Sequence, residues 1–80
     1  MRVNMLTKEE VRKIAIEDIK KNNRNIQETD IKIYDVDKDR SGDWIVTGAI
    51  PYQTFTIRIS DNGKVITKQF LAMTGYPTRE

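Results

Sequence analysis

The hydrophobic period of this chain changes only once, from helical to alternating, and that single change bounds what it can fold into. Ahead of the change, Thr7-Lys8-Glu9-Glu10 has the form of a capping box. The Thr7 hydroxyl can accept from the backbone N–H of residue 10, and the Glu10 carboxylate can reach back to the N–H of Thr7. Leu6 stands at the apolar staple position with Val11 as its partner, which sets the entry angle of the chain. Val11, Ile14, Ala15 and Ile19 then recur at helical spacing, with Ile16 at the edge of the stripe and charged side chains on the other faces. The spacing predicts a helix over about 8 to 23. Asn22, Asn23 and Asn25 are expected to end it, because Asn tolerates the left-handed backbone of helix C-termini.

Beyond the asparagines the residues alternate, and the alternation predicts strands over about 30 to 37, 43 to 49, 53 to 60 and 64 to 72. Pro51 cannot donate to a ladder, so the segment from Ala49 to Gln53 reads as a turn or a strand edge rather than the middle of a central strand. Phe55, Ile57 and Ile59 alternate with Thr54, Thr56 and Arg58, and Asn62-Gly63 supplies turn chemistry for a hairpin with the last strand. The tail from 74 to 80 has no period and two breakers, and is expected to fray. One helix and a four-stranded antiparallel meander bury both apolar surfaces in one way, as an α+β two-layer sandwich with the helix across one face of the sheet. The expected core is Leu6, Val11, Ile14, Ala15, Ile19, Ile31, Ile33, Trp44, Val46, Phe55, Ile57, Ile59, Val65 and Leu71. Strand four is ambiguous: Val65 with Leu71, and Ile66 with Phe70, are apolar pairs of opposite parity.

Eighty residues make one domain, close to the size below which a core needs a covalent or metal staple. There is no Cys and no His, which removes disulfides, thiolate sites and the commonest general base. The stretch before Lys8 is too short for an export signal or a membrane span, so a cytoplasmic protein is expected. Fourteen basic against twelve acidic side chains leave a charge of +2, too small to argue for nucleic acid or membrane unless the charges cluster.

The run Asp35-Val36-Asp37-Lys38-Asp39-Arg40-Ser41-Gly42-Asp43 supports two readings. As a calcium loop, it offers Asp35, Asp37, Asp39 and Ser41 in the first ligand slots, but Arg40 stands where the loop needs Gly and Val46 where it needs a bidentate carboxylate. A non-EF Ca²⁺ site would have to gather Asp37, Asp39 and Asp43, with Asp35 and Ser41 in support, by a bend near Ser41-Gly42. As an acidic turn between strands, the run needs no ligand, since Asp, Ser and Gly are turn formers and Lys38 and Arg40 offset the carboxylates. The second reading leads, and no cofactor is expected.

If Phe55, Ile57 and Ile59 face the helix, the uncovered face is expected to carry Lys32, Tyr34, Arg58, Lys68 and Phe70. Such a face fits a protein partner or a second copy, and fits single-stranded nucleic acid less well. Trp44 alternates with Val46 and reads as core. No nucleophile and base are paired by spacing, and no glycine-rich phosphate loop occurs, so no catalytic residue is assigned. The helix Leu6-Thr-Lys-Glu-Glu-Val-Arg-Lys-Ile-Ala15, then Gly42-Asp-Trp-Ile-Val-Thr-Gly48 and Phe55-Thr-Ile-Arg-Ile-Ser-Asp-Asn-Gly-Lys-Val65, together resemble a PepSY-type domain of the cystatin-like kind over residues 6 to 71. The resemblance implies a binding or inhibitory module, of a kind associated with peptidases and cell-envelope proteins, without catalytic residues of its own.

Overall fold

A computed structural model describes residues 6–72. The helix α1 spans Lys8–Asn22 and both halves of the capping box are made: Glu10 N–H donates to Thr7 Oγ1 at 3.2 Å, and Thr7 N–H to Glu10 Oε1 at 2.9 Å. Its C-terminus closes differently from expectation. Asn23 holds φ −142°, so no left-handed residue ends the helix. The asparagines cap it with their side chains, Asn22 Nδ2 donating to Asp18 O at 2.8 Å and Asn23 Nδ2 to Ile19 O at 2.9 Å, which satisfies carbonyls otherwise left open. A 3-10 turn that the sequence reading missed, Glu28–Asp30, then leads into the sheet.

Four strands follow, β1 Lys32–Lys38, β2 Trp44–Ile50, β3 Gln53–Ile59 and β4 Val65–Ala72, in the order β1-β2-β3-β4 with each neighbour antiparallel. The α+β architecture is the expected one, and α1 lies over β1 and β2. Val11, Ala15, Ile16 and Ile19 meet Ile31, Trp44, Val46, Ile50, Phe55, Ile57 and Ile59 in one core. Leu6, Ile14, Ile33, Val36, Val65 and Phe70 pack around it half-buried.

Two irregularities decide which side chains face the helix. In β1 the pairing passes from Ile33↔Gly48 to Asp35↔Thr47, leaving Tyr34 as an extra residue. Gly48 makes this possible: a Cβ there would lie 2.1 Å from Lys32 O, so only glycine lets the β1 backbone come this close. In β4 the pairing passes from Ile59↔Val65 to Arg58↔Thr67, leaving Ile66 as the extra residue. The slip inverts the parity along the strand, so Val65 and Phe70 both turn to the helix side. Leu71, expected in the core, is 56 % exposed on the open side opposite Thr54. The ambiguity of strand four is thus settled by a bulge in favour of neither uniform alternation.

The β1–β2 and β3–β4 loops are built alike. Gly42 N–H donates to Asp39 O at 3.1 Å and Asp39 N–H to Asp43 O at 2.8 Å; Gly63 N–H donates to Ser60 O at 2.9 Å and Ser60 N–H to Lys64 O at 2.8 Å. Gly42 and Gly63 take φ +95° and +92°. Each is a three-residue hairpin loop that places a left-handed glycine before the returning strand, and at Gly63 it uses the turn chemistry expected of Asn62-Gly63. The β2–β3 connection is the tight one, Pro51-Tyr52 between the paired Ile50 and Gln53. Proline fixes a negative φ at the first position, and Tyr52 takes φ +71°, close to the second residue of a type II turn, where Gly or Asn is usual. The expected fraying of 74–80 concerns residues outside those described. No helix among the described residues is long and apolar enough to cross a membrane.

Candidate functional site

The acidic run is folded around a guanidinium. Arg58 leaves β3 on the open face, opposite Ile45 and Thr67, and its Nη1 donates to Asp39 Oδ2 at 2.6 Å and to Asp43 Oδ2 at 3.0 Å. Asp39 Oδ1 accepts from the Ser41 hydroxyl at 2.7 Å and from the backbone N–H groups of Ser41 and Asp43 at 2.9 and 3.1 Å. Asp37 takes no part in these bonds, its Oδ1 accepting from the backbone N–H of Lys38, and Asp35 sits two residues further along the open face opposite Thr47. Of the five residues considered for calcium, the fold therefore brings Asp39, Ser41 and Asp43 together and keeps Asp35 and Asp37 apart from them. Among the described residues no three carboxylates converge as a metal-holding group. Arg58 carries the positive charge at the point where the two carboxylates meet.

These bonds hold Asp39 at a pKa of about 2, below its ordinary 3.8: the Ser41 hydroxyl contributes most, burial opposes it, and Arg58 and the two backbone donors add to the lowering. Arg58 is correspondingly raised by Asp39 and Asp43. A group whose folded pKa is depressed stabilises the fold fully above its unfolded pKa and loses that contribution as pH falls through the folded one. The loop is thus expected to hold down to pH 3.8 and to loosen as pH approaches 2. A carboxyl-detected NMR titration should find Asp39 titrating near 2 in the wild type and clearly higher in Ser41→Ala; a value near 3.8 in the wild type would overturn this account of the loop.

The five residues expected on one uncovered face are divided between two. Lys32 and Arg58 lie on the open side, opposite Ala49 and Ile45, and Tyr34 sits in the β1 bulge. Lys68 and Phe70 lie on the helix side, opposite Ile57 and Phe55. Phe70 packs its ring 6.0 Å from that of Phe55. Lys68 Nζ lies 3.1 Å from Asp18 Oδ2, an ion pair off the line of a hydrogen bond that ties β4 to α1. The parity slip at Ile66 is the reason for this division, and it removes the joint basic and aromatic face on which a nucleic-acid reading rested. Trp44 is buried as expected, with Lys38 Nζ 5.1 Å from its ring centroid.

Another constellation forms at the end of the sheet where β1 begins and β2 turns into β3. Thr29, Asp30, Lys32, Tyr34, Ala49, Ile50, Pro51 and Tyr52 line an open groove of about 460 Å³. Tyr34 and Tyr52 are the two most exposed large hydrophobic side chains among those described, at 65 % and 71 %. Sequence reasoning placed Tyr34 on a binding face and passed over Tyr52. The available signal was Tyr after Pro51 in a two-residue turn, where Gly or Asn is the usual occupant. Comparison with protein-family models, curated proteins and solved structures finds no match to this chain.

Proposed function

We propose that the protein is a non-catalytic interaction module acting in the cytoplasm, and that it takes an extended segment of a protein or peptide partner in the groove between Tyr34 and Tyr52. The observation that carries this reading is Tyr52 itself. A non-glycine residue in the left-handed region costs about 1–2 kcal/mol, and Tyr52 accepts that φ at a position where the residue is 71 % exposed. Backbone outliers of this kind concentrate at ligand-binding positions. Tyrosine supplies a large amphipathic contact area at low entropic cost, which suits a partner surface. A binding module is also what the PepSY-type resemblance implies. The acidic run acts in this reading as a hairpin clamp on Arg58. A calcium ion at Asp39 and Asp43 would have to displace that guanidinium, and Asp37 would have to give up its bond from the Lys38 N–H to join it. Ser41 beside Asp39 has the outline of a nucleophile and base, but a carboxylate held near pKa 2 is a poor proton acceptor at neutral pH.

Peptides selected from a random display library on the wild-type protein test the reading. Tyr34→Ala and Tyr52→Gly should each weaken the selected peptides about tenfold or more, as hot-spot tyrosines do. Tyr52→Gly should do so without lowering the thermal midpoint, because glycine relieves the backbone cost. Peptides bound equally well by both variants would refute the groove.

A further inference from the structure

The β3–β4 loop carries the chain's one Asn-Gly pair, Asn62-Gly63. In such a pair the glycine backbone nitrogen can attack the side-chain amide carbon of the asparagine, because no Cβ on the glycine screens that nitrogen. The reaction asks three things of its surroundings. The amide oxygen must take up negative charge, base and water must reach the pair, and the glycine N–H must be free to lose its proton. The loop meets the first: Asn62 Oδ1 accepts from the Ser60 hydroxyl and from the Lys64 N–H at 3.3 Å, so two donors already face the oxygen that takes the charge. It meets the second, since Asn62 is exposed. It withholds the third: Gly63 N–H donates to Ser60 O at 2.9 Å, and the proton to be removed is held in that turn bond. Asn22, Asn23 and Asn25 lack the setting altogether. They are followed by Asn, Arg and Ile, whose side chains crowd the attacking nitrogen, and Asn22 and Asn23 hold their amide nitrogens on helix carbonyls.

We propose that Asn62 is a self-modification site gated by the turn bond between Gly63 and Ser60, converting to aspartate and isoaspartate through local opening of the hairpin tip and not through unfolding of the domain. Once that bond opens, solvent base removes the Gly63 N–H proton and the nitrogen adds to Asn62 Cγ. The Cγ–Nδ2 bond breaks, the departing nitrogen takes a proton from water and leaves as ammonia, and a five-membered succinimide closes. One water then adds to the ring. Cleavage of the new N–Cγ bond restores the backbone and leaves aspartate; cleavage of the bond between Gly63 N and the Asn62 carbonyl carbon routes the main chain through Cγ and leaves isoaspartate. Water is the sole co-reactant, and no oxidant or reductant enters. Turn bonds at an exposed hairpin tip open far more readily than the sheet behind them, so the gate is local. The two products part at the next step. Aspartate keeps an oxygen to accept from Ser60 and Lys64, whereas isoaspartate adds a methylene to the backbone of a three-residue loop and undoes its closure. Gly63 is also where the loop meets α1: a Cβ there would lie 3.4 Å from Ile14 Cδ1 and 3.9 Å from Leu6 Cδ1, so the lengthened backbone is felt at the start of the helix. None of this involves Tyr34 or Tyr52, and the inference is independent of the groove.

Peptide mass spectrometry of the wild-type protein, incubated in mildly alkaline buffer over a series of urea concentrations, tests it. Trypsin cuts after Arg58 and Lys64, and the segment 59–64 between them contains Asn62 and no other side-chain amide. In native buffer this segment should gain the mass difference between an NH2 and an OH group, with aspartate and isoaspartate forms separating on chromatography, while the segments holding Asn22, Asn23 and Asn25 stay unchanged. The native rate should be lower than that of the urea-unfolded protein by about tenfold or more, the mark of a closed local gate. Below the unfolding midpoint the rate should stay flat as urea rises, because a local opening exposes little surface, and it should climb only through the transition itself. In amide NMR the Asn62→Asp protein should keep the wild-type pattern of the hairpin, and the isoaspartate fraction should shift 60–64. A native rate equal to the unfolded one would show that the turn bond gates nothing. A rate that rises steeply from the lowest urea would assign the reaction to global unfolding, and an unmodified segment 59–64 in native buffer would show the site to be closed. Each of these, or equal conversion at Asn22, Asn23 and Asn25, would overturn the proposal.

Discussion

A single methyl group at position 48 is expected to cost about 3 kcal/mol or more, at the upper end of what overpacking does. In Gly48→Ala the new Cβ would meet Lys32 O at 2.1 Å, Phe55 Cζ at 2.7 Å and Ile33 Cα at 3.1 Å. The Phe55 ring tip can move by a few tenths of an ångström, but the Lys32 carbonyl is backbone and cannot retreat without moving β1. Because Ile33↔Gly48 is the last pairing before the bulge, relief has to come from a shift of the strand start or its detachment. Amide exchange should therefore show protection lost first at 32 and 33, while Trp44 to Val46 remain protected. Unchanged stability in Gly48→Ala would mean that the bulge at Tyr34 is not held as described.

Ile57→Ala should cost about 2–5 kcal/mol, the range for removing a fully enclosed branched side chain. Ile57 has no exposed surface and sits between Val46 and Lys68 in the middle of the sheet, beneath the helix. A domain of this size has about 4–12 kcal/mol in total, so the loss takes a large share of it. At about 4–8 °C per kcal/mol the thermal midpoint should fall by about 10 °C or more. Leu71→Ala is the informative partner measurement. The residue is apolar and alternates in phase with Val65, yet the slip at Ile66 turns it outward, and its truncation should stay within about 0.5 kcal/mol, as surface changes do. Equal costs for the two substitutions would contradict the observed parity of β4.

These contrasts mark where the sequence was readable. Thr7 and Glu10 are three residues apart, and interactions of that range are written in the local order, so the helix start was legible to the residue. The core positions of β3 were legible because Phe55, Ile57 and Ile59 alternate without a break. Strand four was not, because its bulge is set by what β3 offers opposite Ile66 and no local pattern announces it. Gly48 was a signal left unused, since an isolated glycine inside a strand points to a bulge or a close backbone approach. The acidic run was read as a hairpin, but its partner lies in another strand: Arg58 is 19 residues from Asp39 and 15 from Asp43. Charge balance over the run therefore pointed to Lys38 and Arg40, which the fold does not use for that purpose. Tyr34 and Tyr52 came together for the same reason, through a sheet register rather than a motif.

The most direct test of the central claim is an amide NMR titration of the wild-type protein with a peptide selected on it. Saturable shifts confined to 29–34 and 49–53, and absent in Tyr34→Ala, are the predicted result. Shifts centred instead on Asp39 to Asp43 and Arg58, with the groove silent, would contradict it.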